Sequence, residues 1–216
     1  MIDLHTHTVF SDGELIPSEL VRRAQHMGLS GIGISDHVDA SNIDFVVPNI
    51  VKVARELNSV LVGIKVIAGV ELTHVPPPHI SMLVVKARSL GAEIIIVHGE
   101  TIVEPVVQGT NMAALNADID ILAHPGLISR EEVCLARENG IFLEITARKG
   151  HSLTNGHVAK LAKENNAKMV INTDTHAPSD LITQEKAIRI VKGAGLAEQD
   201  FFDMQQNAAH LCQITL

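Results

Sequence analysis

From one end to the other, the sequence alternates short β-branched apolar runs with stretches of helical periodicity, and few folds accommodate that rhythm. Seven runs stand out: Ile2–Leu4, Gly31–Ser35, Val66–Val70, Ile94–Val97, Ile119–Ala123, Ile141–Ile145 and Met169–Asn172. They are bounded by Gly, Asn or charged residues and mostly lack polar alternation, as expected of strands buried on both faces. Amphipathic patterns fill the intervals at Pro17–Met27, Pro48–Ser59, Pro78–Ser89, Thr110–Ala117, Arg130–Glu138, Asn155–Glu164 and Thr183–Val191. A last one, Glu198–Leu211, reads as a closing helix. Start signals such as Ile16-Pro17 and Ser129-Arg130-Glu131-Glu132, and stops at Gly28 and Gly140, fix several of these helices.

Repeated strand–helix units call for a parallel sheet, open or closed. A closed barrel of eight units takes about 250 residues. Seven units in 216 residues predict a smaller, distorted (β/α)7 barrel of the TIM type, one domain spanning residues 1–216. The alternative is an open doubly wound sheet, but the G-x-G-x-x-G turn it would use for a dinucleotide is absent after the first run.

Composition narrows the function classes. Hydrophobic residues make up 46% of the chain and aromatics 2%, with no Tyr or Trp, so the core is built from Val, Ile, Leu and Ala. The formal charge of −8 argues against a basic nucleic-acid face, and stacking platforms for single strands are missing. The N-terminus shows no secretory signal, and the apolar runs fall far short of the roughly 20 residues that span a bilayer. Cys134 and Cys212 lie in helical patterns and read as small buried hydrophobes. A cytoplasmic protein is expected.

Twelve residues are His, against five Phe, and half of the histidines fall at strand ends. His5 and His7 close the first run, Asp36 and His37 the second, Glu71 the third, His98 the fourth, His124 the fifth, and Asp174 and His176 the seventh. In a parallel barrel these ends share one face, the face on which barrel enzymes carry their sites. One His at a strand end is ordinarily a hydrogen-bonded structural residue; six such ends point to a shared metal site. Imidazole with carboxylate and no thiolate suits Zn, Mn or Fe, and the number of ligands exceeds what one tetrahedral ion takes. Clustered divalent ions bind phosphoryl oxygens and activate water, so hydrolysis of a phosphate ester is the expected chemistry.

The strings His5-Thr6-His7, Ser11-Asp12-Gly13, Ser35-Asp36-His37, Gly69-Val70-Glu71, His98-Gly99, Ala123-His124-Pro125 and Asp174-Thr175-His176 resemble, in order, those of the PHP (polymerase and histidinol phosphatase) superfamily. The resemblance implies a distorted seven-stranded barrel with three divalent metal ions. It implies His5, His7, Glu71 and Asp174 at the first metal and His98 and His124 at a second that Glu71 also bridges. Asp12, His37 and His176 would hold the third. A hydroxide between metals would be the nucleophile, and a small phosphomonoester such as histidinol phosphate the substrate. A phosphodiesterase or exonuclease acting on nucleotide ends, and a non-catalytic metal-binding module of a larger complex, are the alternatives. A carbon–nitrogen amidohydrolase would want a metal-bridging Lys, and no Lys sits at a strand end.

Three dications would offset most of the −8 and make the pocket locally attractive to phosphate. The loop after the sixth run adds candidates. Arg148 can clamp phosphate oxygens, Lys149 adds a point charge, and His151 is a candidate to contact substrate or protonate the leaving group. Asp36 and Asn172 read as groups that orient the ligands. Glu100 and Glu104 read as solvated charges, His74 and His79 as loop residues, and His26, His157 and His210 as solvent-facing helix residues.

Overall fold

The computed structural model describes residues 1–214. Eight strands, β1 (Ile2–Asp3), β2 (Gly31–Ile34), β3 (His37–Val38), β4 (Lys65–Leu72), β5 (Ile94–His98), β6 (Ile121–Ala123), β7 (Phe142–Thr146) and β8 (Met169–Asn172), form one parallel sheet. The hydrogen-bonded order is β1-β2-β4-β5-β6-β7-β8, with β3 also on β4. β2 pairs with the first half of β4 and β3 with its end, Ile34 opposite Ala68 and His37 opposite Glu71. The two are one strand interrupted at Ser35-Asp36, which leaves seven staves in a nearly closed (β/α)7 barrel.

The gap between β8 and β1 is bridged by side chains instead of a ladder. Asn172 Oδ1 accepts from the Leu4 amide at 2.9 Å, and Asp3 Oδ1 accepts from the Thr173 amide at 3.1 Å. Just beyond, the His7 amide donates to the Thr175 carbonyl at 2.8 Å. These contacts tie the first strand to the last and draw residues near 5 and near 175 together.

Helices α1 (Pro17–His26), α2 (Ile43–Asn58), α3 (Ile80–Ser89), α4 (Thr110–Leu115), α5 (Arg130–Asn139), α6 (Asn155–Asn165), α7 (Gln184–Gly193) and α8 (Glu198–Leu211) complete the fold. The start signals act as read: Pro17 is the first residue of α1, and Ser129 with Glu132 forms a capping box on α5. One boundary differs by more than two residues. α2 opens at Ile43, so Pro48 lies inside the helix and not at its start. Ile43, Val46 and Val47 are buried, and their packing outweighs the missing hydrogen bond at Pro48.

Strand residues alternate between two cores. Outward-facing Val66, Ala68, Val70, Ile95, Val97, Leu122, Leu143 and Ile145 pack under the helices. Inward-facing Ile67, Ile94, Ile96, Ile121, Phe142 and Val170 fill the lower barrel together with Ile2 and Leu4. α8 plugs this lower end with Ala208 and Ala209, joined by Cys212 just past its end. Its Gln205 side chain accepts from the Ile2 amide and donates to the Ile2 carbonyl. Continuing the same period of two upward, the inward positions become Glu71, His98, Glu144 and Asn172. An apolar floor thus carries a polar mouth. Among the described residues no helix is long and apolar enough to cross a membrane.

Candidate metal centre

The nine ligand candidates, eight at strand ends and Asp12 in the loop after β1, converge at the C-terminal mouth of the barrel. Glu71 lies at the middle: Oε1 is 3.3 Å from His5 Nε2 and 3.9 Å from His124 Nε2, and Oε2 is 2.7 Å from His37 Nδ1 and 3.8 Å from His7 Nε2. Asp174 Oδ1 is 3.1 Å from His7 Nε2 and 3.8 Å from His5 Nε2. Asp12 Oδ1 is 3.4 Å from His37 Nε2 and 3.2 Å from His176 Nε2. His98 completes the ring, its imidazole 4.3 Å from that of His124.

The local chain holds these groups by unusual means. His124 and Asp174 have left-handed backbones, φ 26° and 54°, a conformation that non-glycine residues take only when the surroundings impose it. Asp36 accepts from the Thr8 amide, Thr8 Oγ1 and Ser11 Oγ at 2.7–2.8 Å. It thereby fixes the loop that carries Asp12, an orienting role that the sequence anticipates.

Six buried side-chain atoms lack any hydrogen-bond partner among the described residues: His5 Nε2, His7 Nδ1 and Nε2, Glu71 Oε1, His124 Nε2 and Asp174 Oδ1. Each such orphan costs about 1–3 kcal/mol, and they share one small volume. The donor set accounts for them, because nitrogens and carboxylate oxygens bound to one divalent ion at about 2.0–2.2 Å need no other partner. Donor atoms of His7, Asp12, His37 and His176 lie within 4.8 Å of one another, as do those of His5, His7 and Glu71. The residues therefore fit divalent metal ions.

Electrostatics reports the same crowding. Burial alone would lower the His37 pKa, but Glu71 and Asp12 overrule it and hold the imidazole up to about 10. Burial likewise opposes the charged form of His5, yet Glu144, Glu71 and Asp174 raise it well above the ordinary value. His7 goes the other way, down to about 3, through burial and the neighbouring His37 and His5. Burial would raise Glu71, and His5 and His37 instead hold it well below the usual carboxylate range.

Two carboxylates escaped the sequence reading. Glu144 is inside β7, buried, and accepts from His5 Nδ1 at 2.8 Å and from His124 Nδ1 at 3.2 Å. It thereby turns the Nε2 atoms of both rings toward Glu71. Asn172 donates to it at 3.0 Å, which is how that residue serves the site. The signal was a charged residue at an inward position of an apolar run. Glu104 is not a free solvated charge: it is 3.2 Å from His98 Nε2 and from His74 Nε2, and 3.4 Å from His151 Nε2. The His98 hydrogen bond brings its pKa down to about 2, against burial. Glu100 is also engaged, accepting from the amides of Gly109 and Asn111 at the start of α4.

The substrate candidates separate. Arg148 and His151 line the cavity of about 240 Å³ at the cluster, with Asp12, His37, His98 and Glu104. His151 is buried, stacked on His124 at 4.2 Å, and within ligand reach of His98 and His124. Burial and the neighbouring His124 lower its pKa to about 4, which leaves the imidazole neutral near pH 7. Lys149 lines a different, adjoining cavity. Of the remaining histidines, His26, His79 and His210 are exposed, whereas half-buried His157 bonds the Ile128 carbonyl at 2.7 Å.

Fold and cluster together define a β/α-barrel protein with a histidine–carboxylate centre suited to divalent ions at its C-terminal mouth. The chain belongs to the PHP domain family, whose model matches residues 3–167. It is 53% identical to an uncharacterised protein of Methanocaldococcus jannaschii over 92% of this chain and 91% of that one. It is 28% identical to ribonuclease P protein component 3 of Methanosarcina mazei, over 93% and 83%, and 28% identical to a probable phosphatase of Thermoanaerobacter, over 92% and 88%. Among solved structures, a chain of an archaeal ribonuclease P with mature tRNA superposes with a TM-score of 0.73 at 18% identity, covering 97% of this chain and 90% of that one. Histidinol phosphate phosphatase of Lactococcus lactis, complexed with zinc, L-histidinol and phosphate, gives 0.61 at 20%, covering 90% and 94%.

Proposed function

We propose that this protein is a metal-dependent phosphoesterase whose substrate is a small phosphomonoester of the histidinol phosphate kind. The observation that carries the reading is the set of six orphaned buried donor atoms around Glu71. His5, His7, Glu71 and Asp174 would hold one divalent ion, His98 and His124 a second shared with Glu71, and Asp12, His37 and His176 a third. His151 is placed to add a neutral imidazole beside His98 and His124. Zn, Mn or Fe bound there would supply Lewis acidity toward phosphoryl oxygens and a lowered pKa for water.

The chain's own residues do the rest. Glu144 holds two imidazoles in the tautomer that presents Nε2 to the centre. Arg148 stands at the rim with Nη1 on Asp180 Oδ2 at 3.1 Å and Nε 4.0 Å from Asp174, and offers its remaining donors to a phosphoryl group. The phosphatase names among the relatives support this assignment.

Purified protein should carry metal by elemental analysis and hydrolyse p-nitrophenyl phosphate faster than the bis-ester. Glu71→Ala should abolish turnover and lower metal stoichiometry together. Preference for the bis-ester would replace the monoesterase reading by a diesterase. The ribonuclease P relatives favour a second reading, a protein subunit of an RNA-containing complex. The formal charge of −8 weighs against it. Metal binding without turnover of any ester, joined to tight RNA binding, would establish it instead.

A further inference from the structure

Lys149 faces away from the metal-side cavity into a neighbour of about 420 Å³. That second cavity is lined by Arg148, Lys149, Ser179, Asp180 and Lys186 among others, so Arg148 is the wall common to both. Three cations thus face one carboxylate there, within a chain of formal charge −8. The carboxylate is already engaged: Asp180 Oδ2 accepts from the amides of His176 and Ala177 at 3.1 and 2.9 Å and from Arg148 Nη1 at 3.1 Å. Lys149 and Lys186 are both exposed and form no ion pair among the described residues. Lys186 also sits in the first turn of α7, at the positive end of the helix dipole.

We propose that this second cavity binds an additional anionic group, phosphate or carboxylate, on the same substrate whose phosphoryl group meets the metal side. The inference rests on the phosphoesterase reading and turns its substrate class away from histidinol phosphate, whose alcohol carries no anionic group, toward phosphomonoesters with a second negative charge on the alcohol. Arg148 then touches both ends of the substrate. Two exposed lysines acting together give a preference of about tenfold, a sum of modest screened charge contacts. That preference should weaken as salt is raised.

Binding of unhydrolysable probes tests it, read by calorimetry on manganese-loaded protein. The probes are propylphosphonate, 4-phosphonobutyrate and propane-1,3-bisphosphonate, which share one phosphonate and differ in the second group. At least one of the latter two should bind about tenfold more tightly than propylphosphonate, and the tighter of them identifies carboxylate or phosphate. The double variant Lys149→Ala/Lys186→Ala should erase the gap. Equal binding of all three, no binding of any, or a gap that survives in the variant overturns the proposal. Turnover of 3-phosphoglycerate and of propane-1,3-diol bisphosphate, which carry the second anionic group, is followed separately: turnover without the gap removes the second cavity alone, and the gap without turnover of either removes the esterase reading alone.

Discussion

Glu144 makes four contacts that no other side chain in the mouth duplicates: two imidazole Nδ1 atoms, the His124 amide and the Asn172 amide group. As a carboxylate it only accepts, which fixes both rings in one tautomer. Gln at this position offers one acceptor and one donor group, so one ring must turn or lose its partner. Glu144→Gln is therefore expected to keep the fold and weaken metal binding by about 10–100-fold, checked by metal titration beside circular dichroism. Unchanged metal affinity would show that Glu144 is only a packing residue. Eight of the nine ligand candidates were legible because each stands in a short local string at the end of an apolar run, and Asp12 because Ser11-Asp12-Gly13 resembles the family's string. Glu144 was hidden because it interrupts such a run instead of ending it. Glu104 was hidden for another reason: nothing local shows that the loop after β5 folds back over His98.

Elements depend on a few close approaches that no helix or strand pattern displays. In His124-Pro125-Gly126, Gly126 has φ 64°, and a Cβ built there would lie 1.8 Å from the Glu100 carbonyl oxygen. Gly140, which ends α5, has φ 72° and nothing within 4 Å of such a Cβ. Gly140→Ala should thus cost only the left-handed backbone term, about 1–2 kcal/mol. Gly126→Ala must also push two loops apart and should cost about 3–4 kcal/mol, read from urea unfolding of both variants. Equal losses would mean that the loops beside β5 and β6 yield freely. Strands as β-branched runs and helices as capped amphipathic segments were readable at this scale. β3 was too short to separate from β2 by pattern, and Pro48 looked like a helix start because that is its commonest place.

Across the whole molecule, protons and metal ions compete for one set of nitrogens. In the metal-free protein His37 titrates near 10, against an ordinary 6.5, because Glu71 and Asp12 hold its charge. A raised imidazole pKa contributes stability that is present in full below about 6.5 and is lost as pH rises through about 10. Chelator-treated protein should therefore lose thermal stability steadily from pH 6.5 to 9.5. The loaded protein should not follow that slope, since its ligand nitrogens have already given up their protons. Loading near pH 7 should release protons, from His37 and from His5, whose pKa is also raised. His7, held down to about 3, should contribute none. A weakly buffered indicator assay counts the protons, and differential scanning calorimetry with and without chelator reads the slope. Proton-neutral loading, with parallel pH profiles for the two forms, would mean that the cluster is held by its own ion pairs and that metal binds elsewhere. Proton release together with diverging profiles would place the metal at the barrel mouth, where the segments that follow the first and last strands meet.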